Sequence, residues 1–330
     1  MSGVSTTLGS GNESWPSGGA SNALNDSIDG QDGNDTINGG SGNDTIIGGL
    51  GNDSLVGGNN TDWLDYSAEG GNITATLATT GRATLAGGND SLSGFEVLLS
   101  GSGNDSLAGT SSAETIYAGA GSDSISASSG NDWIEGGDQN DSLVGSSDSD
   151  TLLGGAGNDT VGEATNGADG RDSILGGDGA DSLFAGSNHD IVFGGTGTDT
   201  VDGSTGNDTI IELDSDGADN DSLLGGDGDD TLSGGDGNDT IDGGVGNDEL
   251  YGGAGNDWIT LNEVDGGIAS GGLGNNIISI ATAAVFNQPF DDHPNHTLSY
   301  EWTSLGMSSE VDLTVGFAYV ESAAGNIIAT

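Results

Sequence analysis

The chain of 330 residues carries 53 acidic residues against two basic ones, and its formal charge at pH 7 is −51. This balance excludes nucleic acid or an anionic membrane surface as a direct partner, because both require basic residues. Low hydrophobicity and high net charge would by themselves indicate disorder, so the order of residues along the chain has to be searched for repeats.

A nine-residue repeat runs through most of the chain and is anchored on an acidic residue. Residues 39–58 read GGSGNDTIIGGLGNDSLVGG and hold two copies, in which Ile46 and Leu55 stand two places after the anchors Asp44 and Asp53. The anchors that we select as candidate metal ligands are Asp26, Asp35, Asp44, Asp53, Asp62, Asp105, Asp123, Asp132, Asp141, Asp159, Asp172, Asp181, Asp199, Asp208, Asp221, Asp230, Asp239, Asp248 and Asp257. The series is completed by Asp90, Glu114, Asp150, Asp190 and Asn276. Glu114, Asp150 and Asp190 lie in turns that depart from the repeat and are weaker candidates.

The period divides the chain into five segments. Residues 1–24 are rich in Gly and Ser and are interpreted as a leader or N-terminal cap. Residues 25–65 form a first repeat block, residues 66–104 interrupt the period, and residues 105–279 form the main block. Residues 280–330 have less Gly and more aromatic residues, and the alternation in VDLTVGFAYV predicts a half-buried strand that caps the fold.

The repeat predicts an all-β parallel solenoid. The glycines before each anchor permit a tight turn, and the three residues after it form a short strand whose aliphatic residue points inward. Two repeats make one coil of 18 residues. Stacked coils then place Ile28, Ile46 and Leu64 on one interior ladder, and they also stack the anchor carboxylates.

Stacked carboxylates require counter-cations. Unit charges about 5 Å apart repel by roughly 3–4 kcal/mol at an effective dielectric near 20, and two rows of them outweigh a typical domain stability of roughly 5–15 kcal/mol. Carboxylate and carbonyl oxygens in flexible glycine-rich turns favour Ca²⁺ over Mg²⁺. We therefore expect many calcium ions, roughly one for each well-formed repeat.

The motifs GGSGNDTII, GGLGNDSLV, GGDGNDTID and GGAGNDWIT resemble the nonapeptide of the RTX (repeats-in-toxin, haemolysin-type) calcium-binding family. The resemblance implies a β-roll in which Ca²⁺ lies between successive turns, held by the motif aspartates and backbone carbonyls. Residues 66–104, with the landmarks DYS and GFE, resemble the hairpin-bearing insert of large RTX surface proteins.

The resemblance also implies export through a type I secretion machinery, whose signal would lie in residues 280–330, and folding outside the cell. Residues 1–25 contain no basic region and no hydrophobic run, so we expect no cleavable signal peptide. No stretch is long and apolar enough for a transmembrane helix. We expect the chain, from Met1 to this export signal, to be complete.

Motifs of catalysis are absent. The chain has no HExxH, no GxSxG, no P-loop and no dinucleotide-binding fingerprint, so we expect no enzymatic activity. DDHPNH, with His293 and His296, fits either a polar turn or a transition-metal site. DSDGAD, from Asp214 to Asp219, fits either a solvated loop or an additional calcium site.

Two functions remain open. The first is an extracellular structural subunit of an S-layer, filament or matrix, which would bind itself and for which cell-surface polysaccharide is a further candidate partner. The second is a calcium-folded adhesin or carrier module of a secreted protein. Leu175, Phe193 and Ile211 recur every 18 residues at an outward position and predict an apolar stripe, covered either by a neighbour or by a loop of the same chain.

Overall fold

The structure is a computed structural model that describes residues 5–15, 24–163, 170–212, 219–262, 267–280, 297–300, 319–321 and 327–329. The regular secondary structure of these residues consists of β-strands, joined by turns, bends and short irregular segments. Contacts between residues divide the chain into two units, Met1–Asp169 and Gly170–Thr330. No helix long and apolar enough to cross a membrane occurs within the described ranges.

The described residues of the first unit form eighteen short strands. They are β1 Ser5–Thr7, β2 Ser14–Trp15, β3 Ser27–Asp29, β4 Thr36–Ser41, β5 Thr45–Ile47, β6 Ser54–Asn59, β7 Trp63–Asp65, β8 Thr74–Thr76, β9 Gly81–Leu85, β10 Gly88–Ser93, β11 Val97–Leu99, β12 Ser106–Ala108, β13 Thr115–Ala120, β14 Ser124–Ser129, β15 Trp133–Asp138, β16 Ser142–Ser147, β17 Thr151–Ala156 and β18 Thr160–Gly162.

The second unit contains fifteen described strands. They are β19 Ser173–Asp178, β20 Ser182–Phe184, β21 Ile191–Thr196, β22 Thr200–Asp202, β23 Thr209–Ile211, β24 Ser222–Asp227, β25 Thr231–Ser233, β26 Thr240–Val245, β27 Glu249–Tyr251, β28 Trp258–Leu261, β29 Ile268–Ser270, β30 Ile277–Ile280, β31 Thr297–Tyr300, β32 Tyr319–Glu321 and β33 Ile327–Ala329.

Outside residues 66–104, successive strands of the first unit alternate between two sheets, as the repeat predicts. One sheet, here called sheet A, runs β1-β3-β5-β7-β11-β13-β15-β17 with parallel pairing throughout. Ile28 pairs with Ile46 and Ile116 with Ile134, so paired residues are 18 apart in the sequence. The predicted parallel β-solenoid with 18-residue coils is thereby confirmed.

Residues 66–104 continue both sheets of the first unit. Strand β11 lies in sheet A between β7 and β13. In the opposite sheet, sheet B, β10 extends β6 in parallel, β9 runs antiparallel to both β10 and β8, and β8 pairs in parallel with β12. One antiparallel strand therefore interrupts an otherwise parallel sheet that begins with β2 and β4 and ends with β14, β16 and β18.

The second unit repeats the two-sheet plan. Its sheet A runs β19-β21-β23-β25-β27-β29 and its sheet B runs β20-β22-β24-β26-β28-β30-β31, all parallel. Strand β33 then runs antiparallel to β31 and β32. The C-terminal strand predicted at 311–320 lies outside the described residues except for Tyr319 and Val320, which belong to β32.

The core of each unit is the aliphatic ladder that the repeat encodes. Ile46, Leu55 and Ile134 in the first unit and Ile210 and Ile259 in the second are fully buried. Their sequence neighbours face outward, because side chains alternate along a strand. This narrow interior fixes where each turn begins, and thus where each anchor carboxylate lies.

Candidate metal centre

Every aspartate selected from the sequence lies in a turn directly before a strand, and each is at most 4 % exposed. Carboxylates are almost never so deeply buried unless they are paired or bind a metal. The burial follows from the position: the anchor is two residues before an inward aliphatic side chain, so it points to the same side of the chain.

At most of these anchors, one carboxylate oxygen accepts a hydrogen bond from a backbone amide of the neighbouring coil. The amide of Asp123 donates to Oδ1 of Asp141 at 2.8 Å, and the amide of Asp141 donates to Oδ1 of Asp159 at 2.8 Å. In the second unit the amide of Asp208 donates to Oδ1 of Asp230 at 2.8 Å. The carboxylates therefore form continuous rows, with one link for each coil.

The other oxygen, Oδ2, lies inside the turn. It is buried and has no hydrogen-bond partner at Asp35, Asp44, Asp53, Asp62, Asp123, Asp132, Asp141, Asp208, Asp221, Asp230 and Asp257. A buried polar atom without a partner costs about 1–3 kcal/mol, and more when it is charged. A row of such atoms is therefore a strong indication of a missing positive partner.

The three glycines of a regular turn serve two purposes. In the turn before Asp44, Gly40 has a φ of +103° and Gly42 a φ of +123°, which favour glycine. Gly39 is needed for space instead. A Cβ at Gly39 would meet Asp44 Oδ2 and, at 2.8 Å, the carbonyl oxygen of Gly57 in the next coil. A carboxylate oxygen and a carbonyl oxygen thus face one small space beside the first glycine.

Burial raises the pKa of the anchor carboxyls above the ordinary value of 3.8. Hydrogen bonds from backbone amides oppose this rise, and nearby carboxylates add to it. The pKa rises to about 7 at Asp141 and to about 6 at Asp53, Asp62, Asp123, Asp132, Asp208 and Asp230. The protein environment thus disfavours the ionised form of these carboxyls. A bound cation would require that form and would stabilise it.

The donor set fits calcium. It consists of carboxylate and carbonyl oxygens, without sulfur, which are the ligands of hard cations such as Ca²⁺. The aspartates with an unpartnered Oδ2, together with the first-glycine carbonyls, would hold the ion. Bound calcium would supply the positive charge that lets the rows of carboxylates remain ionised.

The anchors that depart from the repeat occupy the same rows. The amide of Asp132 donates to Asp150 Oδ1 at 2.7 Å, and that of Asp172 to Asp190 Oδ1 at 2.8 Å. Glu114 is 4 % exposed, and Asn276 Oδ1 accepts from the amide of Asp257 at 2.8 Å. The altered turns therefore preserve the placement of the anchor.

Three acidic residues at the site were missed by sequence reasoning. Glu96 Oε2 accepts from the amide of Asp62 at 2.9 Å, so Glu96 acts as an anchor. The sequence features that identify Glu96 as an anchor are Leu98, two places later, and Glu114, 18 places later. Glu163 and Glu212 are 6 % and 5 % exposed and stand four places after an anchor, where the repeat has glycine.

The two glutamates reach the turn of the coil before them. A Cβ at Gly145 would meet both Asp150 Oδ2 and Glu163 Oε1, and a Cβ at Gly194 would meet the carboxylate of Glu212. In regular turns the corresponding oxygen is a glycine carbonyl. Glu163 and Glu212 therefore join the aspartates as candidate cation ligands.

A comparison with family models identifies the repeat. The model of the RTX calcium-binding nonapeptide repeat matches residues 21–55, 39–68, 86–125, 99–134, 126–161, 166–201, 193–211, 215–250 and 233–263. These matches cover well over half of the chain. The chain belongs to the RTX calcium-binding repeat family. It is therefore a calcium-binding β-roll protein, and the buried rows of carboxylates lie in the matched repeats.

Further comparisons add little to this assignment. No curated protein matches the RTX chain. Among solved structures it is similar to a hyperactive, Ca²⁺-dependent, beta-helical antifreeze protein from an Antarctic bacterium. The identity is 19 % over 86 % of this chain and 85 % of that chain, with a TM-score of 0.36. A likeness at that level carries no argument about function.

Proposed function

We propose that this RTX protein is a secreted, non-enzymatic structural protein that folds and assembles with itself when it binds Ca²⁺. The observation that carries the proposal is the row of buried Oδ2 atoms without a hydrogen-bond partner, repeated from coil to coil. Such rows are a large electrostatic cost for a chain of charge −51 unless cations occupy the turns. The repeats therefore serve as a fold that only calcium completes.

Calcium-dependent folding is compatible with export of an unfolded chain. Binding to sites that the unfolded chain lacks contributes directly to the free energy of folding. In a compartment low in calcium the chain would stay unfolded, which suits export through a type I machinery, and it would fold where calcium is abundant. RTX repeats suggest a secreted protein, and this coupling gives the physical reason.

Self-assembly is supported by open sheet edges. Among the described residues, β1 pairs only with β3 in the first unit and β29 only with β27 in the second. An unpaired strand edge can accept a strand of a neighbouring chain. A head-to-tail contact of this kind propagates as a filament or sheet unless its rotation closes a ring.

An outward apolar stripe offers a second contact. Leu175 pairs with Phe193, and Phe193 with Ile211, in sheet A of the second unit. All three are half-buried, and Ile191 beside them is 42 % exposed. A contiguous apolar stripe on a strongly acidic protein supports a protein contact.

One observation favours an adhesin as the second candidate function. A groove over sheet B of the first unit is lined by side-chain amides, hydroxyls and Arg82, together with the anchors Asp35 and Asp53. Amides, hydroxyls and one cation suit the hydroxyl and carboxylate groups of a polysaccharide. An adhesin would remain monomeric in calcium and bind glycan there, whereas a structural subunit would polymerise.

The test uses the purified full-length chain at about pH 8, above the raised pKa values of the anchors, with EDTA, with millimolar Mg²⁺ and with millimolar Ca²⁺. We expect far-UV circular dichroism to report β structure only with Ca²⁺, and negative-stain microscopy to show ordered polymers that dissolve in EDTA. A full β signal in EDTA would overturn calcium-dependent folding. A calcium-folded monomer at high concentration would overturn the structural role and leave the adhesin or carrier module.

A further inference from the structure

The residue at the first-glycine position of each turn determines how much space is left beside the anchor carboxylate. In the regular turn of Asp53 this residue is Gly48, and a Cβ there would lie 2.9 Å from Asp53 Oδ2. One coil further, the corresponding residue is Tyr66 and the anchor is Asp90. Tyr66 corresponds to Gly48 because Ile46 pairs with Leu64, two places before each of them. Asp90 corresponds to Asp53 because the Asp53 amide donates to Asp90 Oδ1 at 2.9 Å.

Tyr66 fills the turn of Asp90. Its hydroxyl donates to Asp90 Oδ2 at 2.7 Å, and the two residues are 3 % and 1 % exposed. The oxygen that lacks a partner in regular turns is thus satisfied by the chain itself. Burial, with Asp90 adding to it, raises the pKa of Tyr66, so the phenol remains protonated and continues to donate.

Two further anchors, Asp105 and Glu114, are satisfied in the same way. Ser100 occupies the first-glycine position of its turn, and its hydroxyl donates to Asp105 Oδ2. Thr110, one place later in its own turn, donates through its hydroxyl to Glu114 Oε1 and through its amide to Oε2 at 3.0 Å. Ser100 is buried, as are both anchors.

The following turns show that a small side chain alone does not close the space. Ala118 and Ala127 occupy the first-glycine position before Asp123 and Asp132 and are fully buried. Oδ2 of both aspartates still lacks a hydrogen-bond partner. The hydroxyl, rather than the presence of a Cβ, therefore distinguishes the turns of Asp90, Asp105 and Glu114.

We propose that these three turns bind no calcium ion and are closed instead by the hydroxyls of Tyr66, Ser100 and Thr110. They form a calcium-independent clamp that joins residues 66–104 to the repeats on either side. The proposal rests on the proposed calcium-dependent fold and limits it, because Asp105, which the sequence selects as a ligand, then belongs to the clamp.

The direct test is anomalous diffraction from crystals of the full-length protein grown with Tb³⁺ as the probe. We expect peaks at regular turns such as those of Asp44, Asp53 and Asp141. We expect none within about 3 Å of the carboxylates of Asp90, Asp105 and Glu114, the coordination range of hard cations. A peak between the Tyr66 hydroxyl and Asp90 would overturn the clamp.

Ion counting by native mass spectrometry tests the same idea in solution. Ser100→Gly restores the residue of the repeat and should add one calcium ion to each chain. Ser126→Gly, at an exposed position on β14, is the matched control and should leave the count unchanged. An unchanged count in Ser100→Gly would contradict the clamp.

Tyr66→Phe removes only the hydroxyl, and its ring still fills the turn, so the count should not change. The melting midpoint in saturating calcium should fall by about 3–10 °C because a buried carboxylate loses its donor. In Tyr117→Phe, whose ring stacks outward on Trp63, it should not move. Equal midpoints in both variants would overturn the clamp. The proposed function would fail separately, if the wild-type chain bound no calcium.

Discussion

The amide of Asp123 donates a 2.8 Å hydrogen bond to Oδ1 of Asp141, 18 residues later and one coil away. This contact uses one carboxylate oxygen to tie two coils together and leaves Oδ2 of Asp141 buried without a hydrogen-bond partner. Oδ1 therefore has a structural role, whereas Oδ2 is the candidate metal ligand. A substitution can separate the two roles.

Asp141→Asn should keep the hydrogen bond between the coils, since the side-chain carbonyl oxygen can still accept from the Asp123 amide. It removes the charge and replaces Oδ2 by a donor, so we expect the loss of at least one calcium ion from each chain. Native mass spectrometry counts the ions. Asp138→Asn, an exposed acid three residues away, is the control and should retain the wild-type count. Equal counts in the two variants would exclude Asp141 as a ligand.

Protonation of the anchor carboxyls should stabilise the folded state in part, as calcium does. Burial raises the pKa of Asp141 to about 7 and that of Asp123 to about 6, against 3.8 ordinarily. The folded chain therefore binds protons more tightly than the unfolded chain. The resulting stability is complete below about pH 4 and is lost as the pH rises through 6 to 7.

Circular dichroism of calcium-stripped protein between pH 4 and pH 8 measures this effect. We expect β structure to increase on acidification and calcium affinity to fall over the same range, because protons and calcium compete for the same oxygens. Neutral buffer with high salt is the control for simple screening of charge. A calcium-free chain with the same spectrum at every pH would contradict the raised pKa values.

Ala127→Ser should close a turn that is open in the wild type. It adds one hydroxyl in the first-glycine position before Asp132, as Ser100 has before Asp105, so each chain should bind one calcium ion fewer. Ala108→Ser, a half-buried outward position on β12, provides the matched control. Loss of an ion from the control as well, or from neither variant, would count against hydroxyl closure.

Ile134→Ala should weaken the core without altering the metal sites. Ile134 is fully buried on the ladder between Ile116 and Leu152. Truncating a buried Ile typically costs about 2–5 kcal/mol. Urea unfolding in saturating calcium should show that loss while the ion count stays constant. Val144→Ala, outward and half-buried, should cost much less.

Phe193→Ser should impair assembly and spare folding. Phe193 is the centre of the half-buried stripe on sheet A of the second unit, and removing its ring interrupts the apolar surface that a neighbour could cover. Sedimentation velocity in millimolar Ca²⁺ should show smaller species, with unchanged circular dichroism. Phe184→Ser, half-buried on the opposite sheet, is the control. Full polymerisation of Phe193→Ser would exclude the stripe as a contact.

Much of the fold could be read from the sequence because the repeat is strict. An aliphatic residue two places after every anchor can be buried only on an interior ladder, as Ile46 is in sheet A and Leu55 in sheet B. The turn glycines and the 18-residue coil follow from the same spacing. The rows of carboxylates, and their need for cations, are therefore properties of the sequence alone.

The sequence did not separate the roles of individual oxygens and anchors. Tyr66 and Asp90 are 24 residues apart and meet only because the intervening segment returns the chain to the next coil of sheet B. Glu163 occupies a glycine position, and only the packed turn shows its carboxylate beside Asp150. Local periodicity decides which residues face inward, whereas the atoms that satisfy a buried carboxylate are decided by contacts between coils.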